Sequence, residues 1–331
     1  MSRTVPAEWS PHRALWVGFP SDGALWEDDL APAQREVADL VRALAGPGGE
    51  RVRLMTSGEE AAGAARALLA DAPGVEITPG RFGDVWLRDT GPIFFSADAG
   101  AAFAFNGWGG KYRLAGDETV ADQIAAAAGA NLERQAFVLE GGALEHDGEG
   151  TLLTTRECLL NPNRNRGWTE AVANAALAES LSARKVVWLG NGLINDHTDG
   201  HVDNLARFVA PGVVATGMAH GADDPHASVY DAAAQTLSSA VDAAGRRLRV
   251  ARVPSPGRVL DADHRIAPAS HLNFIIANKA VVFPTYNARP AEFAKQALEA
   301  LFPGRAVIGL PARALLTGGG AFHCISREEP A

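Results

Sequence analysis

Cys324 lies in the run 315–326, Leu-Leu-Thr-Gly-Gly-Gly-Ala-Phe-His-Cys-Ile-Ser, where three glycines precede a short apolar stretch. Glycines allow unusual dihedrals and close backbone approach, which is the open space a nucleophilic thiol needs on one side. A lone cysteine is otherwise most often a buried packing residue. The glycine run and the adjacent His323 favour chemistry here. Cys158, at the edge of an apolar run without such glycines, reads as core packing.

The segment 195–204, Asn-Asp-His-Thr-Asp-Gly-His-Val-Asp-Asn, is dense in ionisable groups. His201 and Asp203 are two residues apart and share a face if the chain is extended, so one could act as a base and the other hold a cation. Spacing leaves a second reading open, in which His197, Asp199, His201 and Asp203 ligate a metal for a metal-dependent hydrolase. Asp89, in the turn after Trp86-Leu-Arg, and Glu140, before two glycines, could each be a mere turn or capping carboxylate. Their recurrence in equivalent places argues for more. Phosphate-binding loops, zinc-protease helices and Gly-x-Ser-x-Gly elbows are absent from the sequence.

The elements that must position these residues follow from periodicity. Apolar Val37, Leu40, Val41 and Leu44 fall at helical spacing between Pro32 and the stop Gly46-Pro-Gly-Gly. Alanine-rich helices are predicted near 59–70, 118–128, 168–183, 226–244 and 290–301, and strands at 14–19, 52–55, 137–139, 186–189, 248–253, 274–276, 281–283 and 307–310. Alternation of the two makes the class α/β. Five times a helix and strand lead into a polar site, most of them glycine-flanked: 86–89, 140–142, 200–203, 270–273 and 320–324. Recurrence at roughly 50–70 residues is the mark of repeated supersecondary units. Arranged around an axis, their strand ends would meet in one central pocket, and 1–331 would form a single domain.

The bulk properties fit. The chain has 331 residues, 47% hydrophobic and 21% charged, as expected of a globular protein. A net charge of −9 without basic clusters speaks against nucleic acid and tolerates a small cationic ligand. No stretch approaches 18 apolar residues, the N-terminal residues lack a signal-peptide pattern, and two cysteines make no disulfide framework. The expectation is a cytoplasmic protein without membrane contact.

Six blocks carry a resemblance over about residues 16–326: WLRDTGP, FNGWGGKY, EGGALEHDGEGTLLTT, ECLLNPNRN, TDGHVDN and GGGAFHCIS. In this order they resemble the agmatine deiminases of the peptidyl-arginine deiminase-like group. The resemblance implies a pseudo-fivefold α/β propeller of ββαβ-type repeats, a thiol hydrolase without cofactor or metal, and conversion of agmatine to N-carbamoylputrescine and ammonia in putrescine biosynthesis. An amidinotransferase, or a deiminase of arginine or another guanidine, is the alternative within the fold. By position Cys324 matches the nucleophile, His201 the general acid/base, Asp89 and Asp203 the guanidinium carboxylates, and Glu140 the acid beside the histidine. Trp86 resembles the pocket aromatic. His197 stands where an acidic residue is expected to meet the distal amine, and Gly107 and Ala321 replace an expected Ala and Asn. A homo-oligomer, with a dimer favoured, is also implied.

Overall fold

The computed structural model describes residues 3–331. Among these described residues sixteen strands fall into five separate sheets. The first sheet contains β1 (His12–Gly18), β2 (Val52–Ser57) and β3 (Val75–Gly80), linked by helices α1 (Leu30–Ala45) and α2 (Glu59–Leu68). Helix α1 buries Ala33, Val37, Leu40, Val41 and Leu44, the stripe expected from the 3–4 spacing, and stops at Gly46. Parallel pairing of β1 with β2 and of β2 with β3 requires the intervening helices as crossovers.

The other four sheets share one plan, an antiparallel hairpin, a crossover helix and a third strand parallel to the second. They are β4 (Ile93–Ser96), β5 (Ala99–Ala104), α3 (Val120–Ala128) and β6 (Asn131–Val138). Next come β7 (Glu145–His146), β8 (Thr151–Thr155), α4 (Glu170–Leu181) and β9 (Lys185–Leu189). The fourth holds β10 (Ala206–Ala210), β11 (Val213–Met218), α5 (Ala227–Ser239) and β12 (Arg249–Pro254). The fifth holds β13 (Ile275–Ile276), β14 (Ala280–Thr285), α6 (Ala288–Leu301) and β15 (Ala306–Pro311).

The last strand, β16 (Ser326–Pro330), returns to the first sheet and pairs antiparallel with β1, from His12↔Pro330 to Val17↔Ser326. It supplies the antiparallel member that the first sheet otherwise lacks, so five related blades result, the first with one strand more than the others. This is the expected pseudo-fivefold α/β propeller.

Two expectations change. The helix predicted over 226–244 ends at Ser239, because Val241 bridges to Arg247 and Asp242 closes a turn around Ala244 and Arg246. The strand predicted at 274–276 shortens to Ile275 and Ile276. The centre is also more ionic than composition suggests. Arg207, fully buried, pairs with Glu8 and Glu145 and donates to the carbonyls of Leu272 (3.0 Å) and Phe274 (2.7 Å). Buried charges of this kind are tolerated only when paired and fully hydrogen-bonded.

Candidate active site

Each of the five polar sites sits where the third strand of one blade hands over to the first strand of the next: after β3, β6, β9, β12 and β15. The propeller therefore delivers all five to its axis. Asp89, on a short turn of helix (Leu87–Thr90), is held by the amide N–H of Gly142 to Oδ1 and the indole N–H of Trp108 to Oδ2, both at 2.9 Å. Asp203, on the single turn Val202–Asn204, accepts from His323 Nδ1 at 2.8 Å. The Cys324 thiol donates to Asp203 Oδ2 at 3.7 Å, and His201 Nδ1 lies 3.7 Å from Asp89 Oδ1.

Gly142 makes this convergence sterically possible. A Cβ there would lie 2.6 Å from His201 Nδ1, 2.9 Å from Asp89 Oδ1 and 3.2 Å from Asp203 Oδ2. Gly320 is required for a similar reason, since a Cβ would meet the Trp86 ring at 2.6 Å and the Cys324 sulfur at 3.2 Å. Gly107, in place of the expected Ala, has φ +72°, and a Cβ would strike the Tyr112 carbonyl at 2.1 Å.

The charges are mutually tuned. Burial, then the Asp203 and Asp89 carboxylates, push the Cys324 thiol well above its ordinary value. Burial alone would lower His201, but Asp89, then Cys158 and Glu140, carry it well above the usual imidazole value. Burial would raise Asp203, but His323, His201 and Arg207 hold its carboxyl below the usual range. The resting arrangement is thus a thiol and an imidazolium beside two carboxylates. That combination is suited to a planar cation.

Glu140 is fully buried, and its Oε1 accepts from Arg164 Nε at 2.6 Å. Glu140, Cys158 and His201 bring a carboxylate oxygen, the thiol and a ring nitrogen within 4.8 Å of one another. Cys158 is fully buried within an apolar cluster, as expected, but it also touches His201, which the sequence did not reveal. Arg164 continues to Asp199 Oδ2 (2.5 Å) and the Thr198 carbonyl (2.7 Å), while Lys111 (2.5 Å) and Asn163 (2.9 Å) complete the hold on Asp199. With Asp199 enclosed by three donors, the set His197, Asp199, His201 and Asp203 does not form a shared ligand cage among the described residues.

A cavity of about 340 Å³ leads to Cys324 and Asp89. Trp86 and His197 both line it. Asp84 accepts from the indoles of Trp26 (2.9 Å) and Trp86 (2.6 Å), fixing two rings 6.3 Å apart as one wall. Tyr112 stands opposite, 5.9 Å from the His197 ring. Glu27, Asp28 and Asp29 form the acidic rim, and no Lys or Arg among the described residues lines the cavity. Trp26, Asp84, Trp108 and Arg164 escaped the sequence reading. Only Trp108 and Arg164 left a signal there, inside the blocks FNGWGGKY and ECLLNPNRN.

A model of the Porphyromonas-type peptidyl-arginine deiminase family matches residues 4–330. The chain belongs to that family. It is 38% identical to an agmatine deiminase of Stutzerimonas stutzeri (strain A1501), covering 99% of this chain and 95% of the relative, and 36% identical, with the same coverage, to one of Pseudomonas aeruginosa (strain LESB58). Among solved structures it resembles an agmatine deiminase of Enterococcus faecalis with TM-score 0.92, 29% identity, and coverage of 99% of this chain and 95% of that one. A substrate-bound Cys-to-Ser variant of the C. jejuni agmatine deiminase matches with TM-score 0.89, 26% identity, and coverage of 100% and 97%. These relatives are named agmatine deiminases, and the chain is a hydrolase acting on C–N bonds in linear amidines. Among the described residues no helix is long and apolar enough to cross a membrane.

Proposed function

We propose that this chain is an agmatine deiminase that converts agmatine to N-carbamoylputrescine and ammonia through a covalent intermediate on Cys324. The observation that carries the reading is the meeting of a thiol, an imidazole and two carboxylates, Cys324, His201, Asp89 and Asp203, beside a cavity that Cys324 and Asp89 line and no Lys or Arg does.

Guanidinium is a poor electrophile because its charge is delocalised, so it must be held rigidly and its leaving nitrogen protonated. Asp89 and Asp203 accept charge-assisted hydrogen bonds from the guanidinium nitrogens and align the central carbon with the Cys324 sulfur. Seating of the cation releases the Cys324 thiol proton to solvent, and the thiolate attacks, forming the S–C bond. His201 gives its proton to the departing nitrogen, the C–N bond breaks, and ammonia leaves an amidino-thioether. His201 then takes a proton from water, whose oxygen attacks the same carbon. The C–S bond breaks, the hydroxyl proton of the adduct passes to sulfur, and the ureido product leaves with the thiol and the protonated His201 restored. Glu140 holds His201 electrostatically in its protonated form, with Arg164 fixing the Glu140 carboxylate.

The cavity rim favours agmatine over arginine. Glu27, Asp28 and Asp29 would attract a distal ammonium, whereas an α-carboxylate would face three like charges and no Lys or Arg. They supply acidity near the tail end that His197 does not. Trp86 flanks the alkyl chain. On the same reading the enzyme is cytoplasmic and a homo-oligomer, with a dimer favoured, its 331 residues forming one catalytic domain closed by the β1–β16 pairing. Incubating the purified protein with agmatine, arginine and related guanidines, while measuring ammonia and ureido product, tests the assignment. Turnover of arginine in preference to agmatine would overturn it.

A further inference from the structure

The fourth polar loop contributes a group to the nucleophile that family membership does not assign. Asn273 is fully buried, and all four of its side-chain hydrogen-bonding positions are used. Oδ1 accepts from the backbone N–H groups of His323 (3.0 Å) and Cys324 (3.3 Å). Two backbone donors on one atom identify it as the oxygen, so the other end of the amide must be the nitrogen. That nitrogen lies 3.1 Å from the Cys324 sulfur and 3.0 Å from Asn204 Oδ1.

We propose that Asn273 is a catalytic residue, whose side-chain N–H donates to the Cys324 sulfur and stabilises it as the thiolate, both before attack and when the C–S bond breaks. The inference rests on Cys324 being the nucleophile. The sulfur otherwise stands among groups that oppose a negative charge: Asp203 is 3.7 Å away, and burial, Asp203 and Asp89 all push the thiol up. Opposing them are the backbone at Ala321 and the Asn273 amide. A neutral donor suits this place. It meets the thiolate without competing, as Lys or Arg would, for the carboxylates that must receive the substrate. A hydrogen bond also lowers the nucleophilicity of the thiolate it stabilises. With the thiol so strongly favoured, the gain in thiolate population prevails, and the same N–H assists sulfur as leaving group in hydrolysis.

The same amide fixes geometry. Through Asn204 it ties the loop after β12 to the residue following Asp203, and through His323 and Cys324 it sets the backbone of the nucleophile. A purely structural role is separable from the electronic one, because Asn273→Asp keeps the accepting oxygen but replaces the donor with a second oxygen facing sulfur. Asn273→Ala removes both functions.

The test compares wild type, Asn273→Asp and Asn273→Ala, each checked for a cooperative melt. Iodoacetamide labelling of Cys324 is followed against pH by peptide mass, which separates it from Cys158, alongside kcat and KM for agmatine. Hydrogen bonds to charged groups are worth roughly ten- to hundred-fold in an equilibrium, so the labelling midpoint should rise by roughly one to two pH units in Asn273→Ala and at least as much in Asn273→Asp. In the Asp variant, kcat should fall about hundred-fold with KM within a few-fold. An unchanged midpoint in a folded variant would overturn the assignment, as would kcat and KM declining together while the midpoint stays fixed. Wild-type enzyme should lose ammonia release in step with Cys324 labelling; activity surviving full labelling would instead overturn the nucleophile reading beneath it.

Discussion

The indole N–H of Trp108 points at Asp89 Oδ2 across 2.9 Å, the side of the carboxylate away from the Gly142 amide on Oδ1. One ring thus decides which way Asp89 faces. Trp108→Phe keeps the aromatic packing and removes the donor. A hydrogen bond to a charged group is worth about 1.5–3 kcal/mol, so KM for agmatine should rise roughly ten-fold or more while the fold survives. Steady-state kinetics with a thermal melt measures both; an unaltered KM counts against Asp89 as a guanidinium ligand.

Gly142 gives a sharper steric prediction. Alanine is ordinarily a mild replacement, but here its methyl would stand 2.6 Å from His201 and 2.9 Å from Asp89. Both must move. Gly142→Ala should lose activity by at least about hundred-fold, as small misplacements of reacting groups cost that much, and ammonia release measures it.

Removal of the proposed nucleophile differs from removal of the acid. Cys324→Ser should abolish turnover yet bind agmatine by calorimetry. His201→Asn should retain binding and fall by roughly 10²–10⁴ in kcat, the usual worth of general acid–base help. Substantial ammonia release from the serine variant would refute covalent catalysis by sulfur.

Ligand binding should itself ionise the thiol. Burial and the carboxylates of Asp203 and Asp89 raise Cys324, so a non-reactive guanidinium compound seated between those carboxylates should lower the midpoint for thiolate formation. At neutral pH, ultraviolet thiolate absorbance should increase on binding. Equal absorbance with and without the ligand would contradict substrate-assisted activation.

Asp84 makes a stability prediction. Burial raises its pKa from 3.8 to about 6, with its hydrogen bonds to Val85, Trp26 and Trp86 opposing and Asp117 reinforcing. A folded pKa above the unfolded one means that the contribution is greatest below pH 3.8 and is lost as pH rises through about 6. The full interval corresponds to something on the order of 3 kcal/mol. Asp84→Asn loses one indole acceptor at every pH, a constant offset, but should remove this slope. Denaturant unfolding between pH 4 and 6 distinguishes the two, and equal slopes would contradict a raised Asp84 pKa.

The chemistry was more legible than the scaffold because thiols, imidazoles and paired carboxylates have few substitutes. Cys324, His201, Asp89 and Asp203 stood out in glycine-flanked loops, and their recurrence suggested repeats around an axis, while the propeller itself came from the family resemblance. The strands around them were less visible. β5, with the sequence Ala-Gly-Ala-Ala-Phe-Ala, carries helix formers that pairing overrides. β16, Ser-Arg-Glu-Glu-Pro, looks like surface but is wholly buried: Glu328 pairs with Arg88 at 2.8 Å, and Glu329 accepts from Trp16 (2.9 Å) and Arg13 (2.5 Å). No local pattern announces such partners, because they come from far along the chain. Asn273 fell inside the recurring polar site 270–273, but its role was hidden likewise. Its residue type permits a turn, a cap or a surface amide, and only folding brings it to the sulfur.

The pairing of β16 with β1 orders events during biosynthesis. Four blades draw their strands from neighbouring sequence and can assemble as the chain emerges, but the first waits for β16. Cys324 precedes that strand by two residues. The same short run that brings the sulfur also brings His323 to Asp203 and Glu328 to Arg88, so the reactive centre and the closed ring are completed by one stitch.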